Sequence, residues 1–269
     1  MKRTLAALLA ALLILALTAC KPKSEPEPIP DPPAVTQPDT PAPEPTPEPE
    51  PEPTPETPDL GLQAELSEYV LEDSVEETVG YRLTMPQVTL PNAEAAEIIN
   101  QYYRNIAGKL GDLAWGEAYE QAISQHLVME LTSPYTIQMN QNGILSIRRQ
   151  VKLADKTNAT DEATLLAETF DLESGGLLTL DDLFKVPETE YLPRILDKVR
   201  SDIEDTLASS PHAFVQSWES QVEAAFDKTQ FSLSDVGVEV FYQAGELDAK
   251  YAYSFTIPWQ DLSDITKKP

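Results

Sequence analysis

The sequence predicts an α+β fold in which a mixed, largely antiparallel sheet packs against several amphipathic helices. Segments with an apolar residue at every second position predict strands, and segments with apolar residues three or four positions apart predict helices. The segments run as strands, then helices, then strands, without the regular strand–helix–strand alternation of a parallel sheet. An Asn-Gly pair between two alternating segments also predicts an antiparallel hairpin.

The first part of the folded region predicts two strands and a long helix. Residues 66–73 and 78–85 have strand character, and the proline that directly follows is expected to end the second strand. Asn92 is a suitable N-cap. One apolar stripe at helical spacing comes after it: Ala95, Ile98, Ile99, Tyr102, Ile106 and Leu110. Gly111 is expected to end or kink this helix before a second helical stretch at 113–125.

The central part predicts an antiparallel group of strands. Alternating segments occur at 127–131, 135–139 and 145–153. Asn142 and Gly143 predict the hairpin turn between the last two. After a polar loop, residues 163–172 predict one more strand.

The C-terminal part predicts a helical turn, two amphipathic helices and two strands, at 180–184, 188–207, 212–225, 236–242 and 251–257. In the helical turn, Asp181 and Asp182 are interpreted as capping and first-turn charges. The alternative for this acidic pair is cation binding.

The first twenty residues predict a lipoprotein signal. Lys2 and Arg3 precede an apolar segment at 5–17, which is shorter than the roughly 20 residues of a membrane-spanning helix. The next three residues, Thr-Ala-Cys, complete a sequence that resembles the lipobox of bacterial lipoproteins. Cys20 is the only cysteine, so we expect lipidation there and attachment to the outer face of a cell membrane of the Gram-positive type. The alternative is an ordinary secretory signal that leaves Cys20 as a free thiol.

The segment after the anchor predicts an extended acidic spacer. Residues 21–59 hold 16 of the 24 prolines and 10 acidic residues. Proline favours polyproline II geometry, in which such a segment would span roughly 120 Å when fully extended. A docking site for proline-recognition domains is the alternative. The chain is therefore predicted to comprise a signal peptide at 1–19, a lipidated cysteine with a disordered spacer at 20–59, and a folded α+β domain at 60–269.

The folded region is strongly acidic. Residues 60–269 contain 35 acidic and 15 basic side chains, a net charge of about −20. Nucleic-acid binding is disfavoured, because phosphates require a basic surface. A negative field would instead attract cationic partners. The alternative is that the charge serves only solubility.

Several segments carry a resemblance to a known family. Residues 170–184 read Phe-Asp-Leu-Glu-Ser-Gly-Gly-Leu-Leu-Thr-Leu-Asp-Asp-Leu-Phe, and residues 231–242 and 255–262 hold F-S-L, G-V-E-V-F-Y and F-T-I-P-W-Q-D-L. Upstream, 81–86, 97–100 and 143–147 contribute further short motifs. In order and spacing this set resembles the RsiV/PdaC-type extracellular domain family, a domain of unknown function, over nearly all of the folded part.

The resemblance implies a non-enzymatic extracytoplasmic binding module. In RsiV the related domain binds lysozyme, a cationic protein that the acidic charge would suit. Anti-sigma regulation and polysaccharide deacetylation are not expected, because the sequence shows neither a sigma-binding segment nor a deacetylase domain. Residues 155–160 also depart from the Gly-Ala-His type motif common in the family, and Gly245 precedes Glu246 where an aromatic residue is common.

Catalytic and metal-binding patterns are weak in this sequence. The two histidines, His126 and His212, fall at element boundaries, where capping or surface roles are expected. One oxygen-rich loop lacks the glycine of a calcium loop: Asp155, Asn158, Asp161 and Glu162. We therefore expect no metal and no cofactor. The alternative functions are a wall-glycan enzyme, whose carboxylates, such as Asp181 or Glu246, would converge with a partner at about 5–10 Å, and a purely structural surface protein.

A candidate ligand surface lies around the last strand, formed by Glu246, Asp248, Tyr251, Tyr253 and Trp259. Aromatic rings there could stack on a sugar or contact a peptide. Alternatively, the two tyrosines pack in the core or on a sheet face. The partners expected are the membrane, through the lipid on Cys20, and either a lysozyme-like protein or peptidoglycan.

Overall fold

A computed structural model of the protein describes residues 61–75, 77–156, 163–248 and 250–267. The predicted signal peptide, Cys20 and the spacer lie outside these ranges, as do three of the four residues of the oxygen-rich loop. Within the described ranges, no helix combines the length and the apolar character needed to cross a membrane.

The larger sheet contains six strands: β1 (Glu65–Val75), β2 (Val79–Thr89), β3 (Met129–Ser133), β4 (Tyr135–Gln141), β5 (Ile144–Asp155) and β6 (Thr164–Asp171). The long strand β5 pairs with β3 near its C-terminal end and with β4 near its N-terminal end, and β6 lies on its other side. All strand pairs are antiparallel except β2 with β3. The predicted mixed, largely antiparallel α+β architecture is therefore confirmed.

The parallel pair of strands requires a crossover, which a long helical segment provides. Helix α1 (Ala93–Leu113) continues as a π-helical turn (Ala114–Ala118) and then as α2 (Tyr119–Gln125). Asn92 caps α1, since its side chain accepts the N–H groups of Glu94 and Ala95 at 3.1 and 3.4 Å. His126 ends α2 in a left-handed conformation, with φ of 56°.

The C-terminal half forms a second, three-stranded antiparallel sheet covered by helices. Its strands are β7 (Phe231–Leu233), β8 (Gly237–Tyr242) and β9 (Tyr253–Pro258). The helical elements are a 3₁₀ turn (Leu180–Leu183), α3 (Glu188–Ser209), α4 (Trp218–Ala224) and α5 (Trp259–Leu262). Thr179 and Asp182 form a reciprocal capping box at the 3₁₀ turn, in agreement with the predicted capping role of Asp182.

Two main apolar clusters stabilise this arrangement. One lies between α1 and the larger sheet and includes Leu83, Ile99, Leu131 and Ile147. The other lies between α3 and the smaller sheet and includes Ile195 and Val199 from the helix and Val240 from β8. Polar contacts join the two sheets: Leu233 N–H donates to Ser146 Oγ at 2.9 Å, and the Gln243 amide bonds both backbone groups of Leu165.

Three local predictions are wrong. Strand β2 continues through Pro86 to Thr89. Its pairing with β3 ends at Leu83, so Pro86, which has no N–H group, interrupts no hydrogen bonds between β2 and β3. Gly111 does not end the helix, which runs to Leu113 and continues into the π-helical turn that begins three residues after Gly111.

The third wrong prediction is the helix at 212–225. Residues 211–217 form turns, and only 218–224 are helical. The turns allow buried Phe214 to pack and Val215 N–H to donate to the Leu247 carbonyl at 2.9 Å. Tertiary contacts therefore override the helical pattern in this segment.

Candidate functional site

The predicted ligand surface is divided between the two ends of β9. Tyr253 begins this strand, Tyr251 lies two residues before it, and Trp259 follows its last residue. A strand of six residues spans about 20 Å. The five predicted residues therefore form two separate patches rather than one surface.

The first patch is a loop that presents Tyr251 to solvent. The Asp248 carboxylate accepts hydrogen bonds from the N–H groups of Lys250 and Tyr251 at 2.7 and 3.0 Å. The backbone carbonyl of Asp248 accepts a hydrogen bond from the Gly245 N–H at 2.6 Å. Gly245 has φ of +92°, which suits glycine. The loop is thereby fixed by its own polar groups, and the Tyr251 side chain is 61% exposed.

Tyr253 faces the protein instead. Its hydroxyl donates to the Ala213 carbonyl at 3.3 Å, and its ring centroid lies 4.6 Å from that of Phe214 and 6.3 Å from that of Phe255. These contacts correspond to the packing alternative for this tyrosine. Tyr251 is therefore the aromatic side chain of this patch that a partner could reach.

The second patch contains Trp259 and Val236. The Trp259 indole N–H donates to the Ser234 carbonyl at 2.9 Å, and its backbone N–H donates to Val236 at 3.0 Å. Trp259 is half-buried, and Val236 is 64% exposed. The polar edge of the indole is thus used within the chain, which leaves a small apolar contact surface.

The carboxylates named for the enzymatic alternative have partners within the chain. Asp181 accepts the Tyr191 hydroxyl at 2.5 Å and Lys228 Nζ at 3.3 Å, one on each oxygen. The hydrogen bond from Tyr191 is the main cause that lowers the pKa of Asp181. Glu246 accepts Gln243 N–H at 2.5 Å, and burial is the main cause that raises its pKa, with the charge of Asp227 acting in the same direction.

A shallow groove runs between α3 and α4. Leu192, Pro193 and Leu196 contribute its apolar part. The two carboxylates that line it, Glu188 and Glu223, each contact a basic side chain: Lys228 Nζ lies 2.6 Å from Glu188, and Arg200 Nη2 lies 3.7 Å from Glu223. Within the described ranges, no group of three or more His, Cys, Asp or Glu side chains is placed to hold a metal ion.

Internal ion pairs use most of the basic side chains. The pairs between described residues involve nine of them: Arg82, Arg104, Arg148, Arg149, Lys156, Arg194, Lys198, Arg200 and Lys228. Each contacts an acidic side chain of the same domain. Residues 60–269 hold 35 acids and 15 bases, so this pairing leaves a large acidic surplus, and most of the acids among the described residues are exposed.

The exposed acids of β1 are a feature that sequence reasoning did not select. Glu65, Glu68, Glu72 and Asp73 lie on this strand, and all four are exposed. The sequence does indicate that this strand is exposed. After Tyr69, two apolar residues are adjacent and two acidic residues are adjacent, so each face carries a charge. This pattern is typical of a strand with little cover on either side.

Comparisons with known proteins identify the fold. No family model and no curated protein matches the sequence. Two solved structures are similar, both of DUF3298 family proteins. The first, from Bacteroides fragilis, has 12% identity and a TM-score of 0.52, over 78% of this chain and 96% of that chain. The second, from Pseudomonas aeruginosa, has 13% identity and a TM-score of 0.50, over 77% of this chain and 96% of that chain.

The protein thus has the α+β fold of DUF3298 proteins, which are themselves of unknown function. At this level of identity the likeness establishes the fold alone. The resemblance of the motifs to the RsiV/PdaC-type domain stays a prediction.

Proposed function

We propose that the protein is a lipid-anchored module of the cell surface that binds a cationic extracellular protein of the lysozyme class. The observation that carries the proposal is the charge distribution. Nine basic side chains are paired within the domain, and the acidic surplus faces solvent. Such a field attracts a cationic protein, raises its association rate and disfavours anionic partners.

The proposed anchor supports a role at the cell surface. Cys20 is the only cysteine of the chain, at the end of an apolar segment too short to span a bilayer. A diacylglyceryl group on Cys20 would hold the protein at the membrane, and the proline-rich spacer would hold the domain away from it. The acidic domain would then face secreted cationic proteins rather than anionic headgroups.

The arrangement of the carboxylates favours binding over hydrolysis. A glycosidase needs one carboxylic acid and one carboxylate that both reach the scissile bond. Here both oxygens of Asp181 are used by Tyr191 and Lys228, and the carboxylates in the groove contact Lys228 and Arg200. The geometry stabilises the domain and leaves exposed acids elsewhere for a partner.

A capture experiment tests the proposal. Residues 21–269, which lack only the predicted signal and Cys20, are immobilised and exposed to a cationic lysozyme or to purified peptidoglycan, at low and at physiological salt. We expect saturable capture of lysozyme that weakens with salt but persists at physiological ionic strength. Capture of peptidoglycan alone would favour a wall-binding function, and capture of neither would refute the proposed partner class.

A further inference from the structure

Strand β1 forms an open edge of the larger sheet. It pairs with β2 along its whole length, from Glu65 opposite Thr89 to Val75 opposite Val79. No described strand pairs with its other side. Every second residue of an edge strand directs its N–H and C=O groups away from the sheet, where they can pair with another strand.

The side chains of β1 combine exposed apolar groups with acids. Val70, Leu71 and Val75 are 40%, 39% and 45% exposed. Because Val70 and Leu71 are neighbours in a strand, they lie on opposite faces, so both faces are accessible there. Acidic side chains on an edge oppose pairing with another acidic strand. The accessible aliphatic groups are instead the contacts that an added strand would use.

The negative charges of β1 favour an added strand that carries positive charges. Four acidic side chains lie on it: Glu65, Glu68, Glu72 and Asp73. The ion pair found on this strand joins Glu72 to Arg82 of β2. A second copy of this edge would place these acids against one another, which is unfavourable. A strand with lysine or arginine at alternate positions carries these charges on one face, where they would pair with Glu68 and Glu72.

We propose that the outer edge of β1 binds an extended, basic segment of a partner protein by strand addition. The inference rests on the proposed function, because it assigns the contact surface for a cationic partner. Backbone hydrogen bonds along the edge supply affinity. Exposed acids and the accessible residues Val70, Leu71 and Val75 supply specificity for alternating basic and apolar side chains.

A peptide titration with matched variants tests this surface. The probe is a capped Lys-Val-Lys-Val-Lys-Val peptide, titrated into residues 21–269. Val70→Lys places a positive charge on the edge, and Ile98→Lys is the control, since Ile98 on α1 is 42% exposed and the charge change is the same. We expect unchanged affinity for Ile98→Lys and about tenfold weaker binding for Val70→Lys. Urea unfolding confirms that both variants are folded.

A second probe separates strand addition from charge attraction. The same peptide with N-methyl groups at alternate backbone positions keeps its charges but loses half of its N–H donors. We expect it to bind at least about tenfold more weakly, since the ladder cannot form. Equal binding of both peptides, or equal effects of the two lysine variants, would overturn the proposal. A dimer of the free protein that Val70→Lys dissociates would also overturn it, by assigning the edge to a second copy.

The outcomes distinguish this inference from the proposed function. If Val70→Lys leaves lysozyme capture unchanged and the basic peptide does not bind, the binding role of the β1 edge is refuted and the proposed function is retained. Peptide binding at the edge without lysozyme capture would retain the edge and refute the proposed partner class.

Discussion

Replacing Arg149 with methionine is expected to lower the free energy of unfolding by about 3–5 kcal/mol at pH 7. The side chains of Arg149 and Glu168 are both 0% exposed, and Nε lies 3.4 Å from the carboxylate. Without the guanidinium, Glu168 would be a buried carboxylate with no ion partner. Urea denaturation of the wild type and the variant measures the loss.

The surroundings of Arg149 explain why the loss should be large. Its Nη1 donates to the Thr84 and Ser133 carbonyls at 3.0 and 3.3 Å, and its guanidinium carbon lies 5.4 and 5.5 Å from the ring centroids of Tyr103 and Tyr135. Burial raises the pKa of Glu168, whereas Arg149 and a close approach of Tyr103 lower it. The approach of Tyr103 falls short of good hydrogen-bond geometry, so Arg149 is the main partner.

The variant has a specific pH signature. Loss of Arg149 raises the pKa of Glu168 further above its value in the unfolded chain. A carboxyl whose folded pKa is raised destabilises the fold in its ionised form, and the penalty shrinks as pH falls from the folded pKa toward the unfolded one. The difference between Arg149→Met and the wild type should therefore narrow on acidification.

A double variant separates the buried charge from packing. We expect Arg149→Met/Glu168→Leu to recover to within about 1–2 kcal/mol of the wild type, because no charge remains buried. If it is as unstable as Arg149→Met alone, the loss comes from the carbonyl contacts and packing of Arg149, and the electrostatic account is wrong.

Gly237→Ala is expected to destabilise the smaller sheet by about 3 kcal/mol or to prevent its folding. Gly237 begins β8 opposite Pro258 of β9. A Cβ atom there would lie 2.0 Å from the Ile257 carbonyl oxygen and 2.9 Å from Pro258 Cα, both backbone atoms. The two strands would have to separate at this point. Thermal and urea unfolding measure the effect.

The matched control is Gly108→Ala within α1. Apart from its chain neighbours and the nearby backbone of its own helix, a Cβ atom at Gly108 would meet no atom within 4 Å. Because alanine has the higher helix propensity, this variant should be more stable by about 0.5–1 kcal/mol. A Gly237→Ala protein as stable as the wild type would show that the β8–β9 spacing is wrong.

Local sequence signals predicted much of the fold. The turn at Asn142 and Gly143 has φ of 54° and 80°, as a two-residue hairpin of this type requires. The Asn92 cap was also readable, because it depends on neighbours in the chain, and so was most of the apolar stripe of α1: Ala95, Ile99, Ile106 and Leu110 are buried, whereas Ile98 is 42% exposed. Residues 211–217 were not, since their conformation depends on Phe214 and on a contact with the distant residue Leu247.

The buried ion pair was accessible to sequence reasoning but was missed. Arg149 lies on the same face of β5 as Ile147 and Val151, and Glu168 lies on the same face of β6 as Leu166 and Phe170. All four apolar neighbours are buried. An arginine and a glutamate at core positions of two paired strands therefore predict a buried ion pair.

The candidate site was less predictable, because exposure depends on the tertiary structure. Sequence spacing cannot distinguish exposed Tyr251 from Tyr253, which packs against Phe214. The predicted strand at 251–257 did place Tyr251 and Trp259 at its opposite ends, so the division of the predicted surface was readable from the sequence. The open edge of β1 depends on which strands pair, and the parallel pairing of β2 with β3 is not a local property.

The central claim is that positive charge on the partner drives binding, and a calorimetric titration tests it most directly. Residues 21–269 are titrated at physiological salt with a cationic lysozyme and with the same lysozyme after acetylation of its lysines, which removes their positive charges. We expect saturable binding of the native lysozyme and at least about tenfold weaker binding of the acetylated one. Equal affinity for both forms, or no binding of either, would contradict the account.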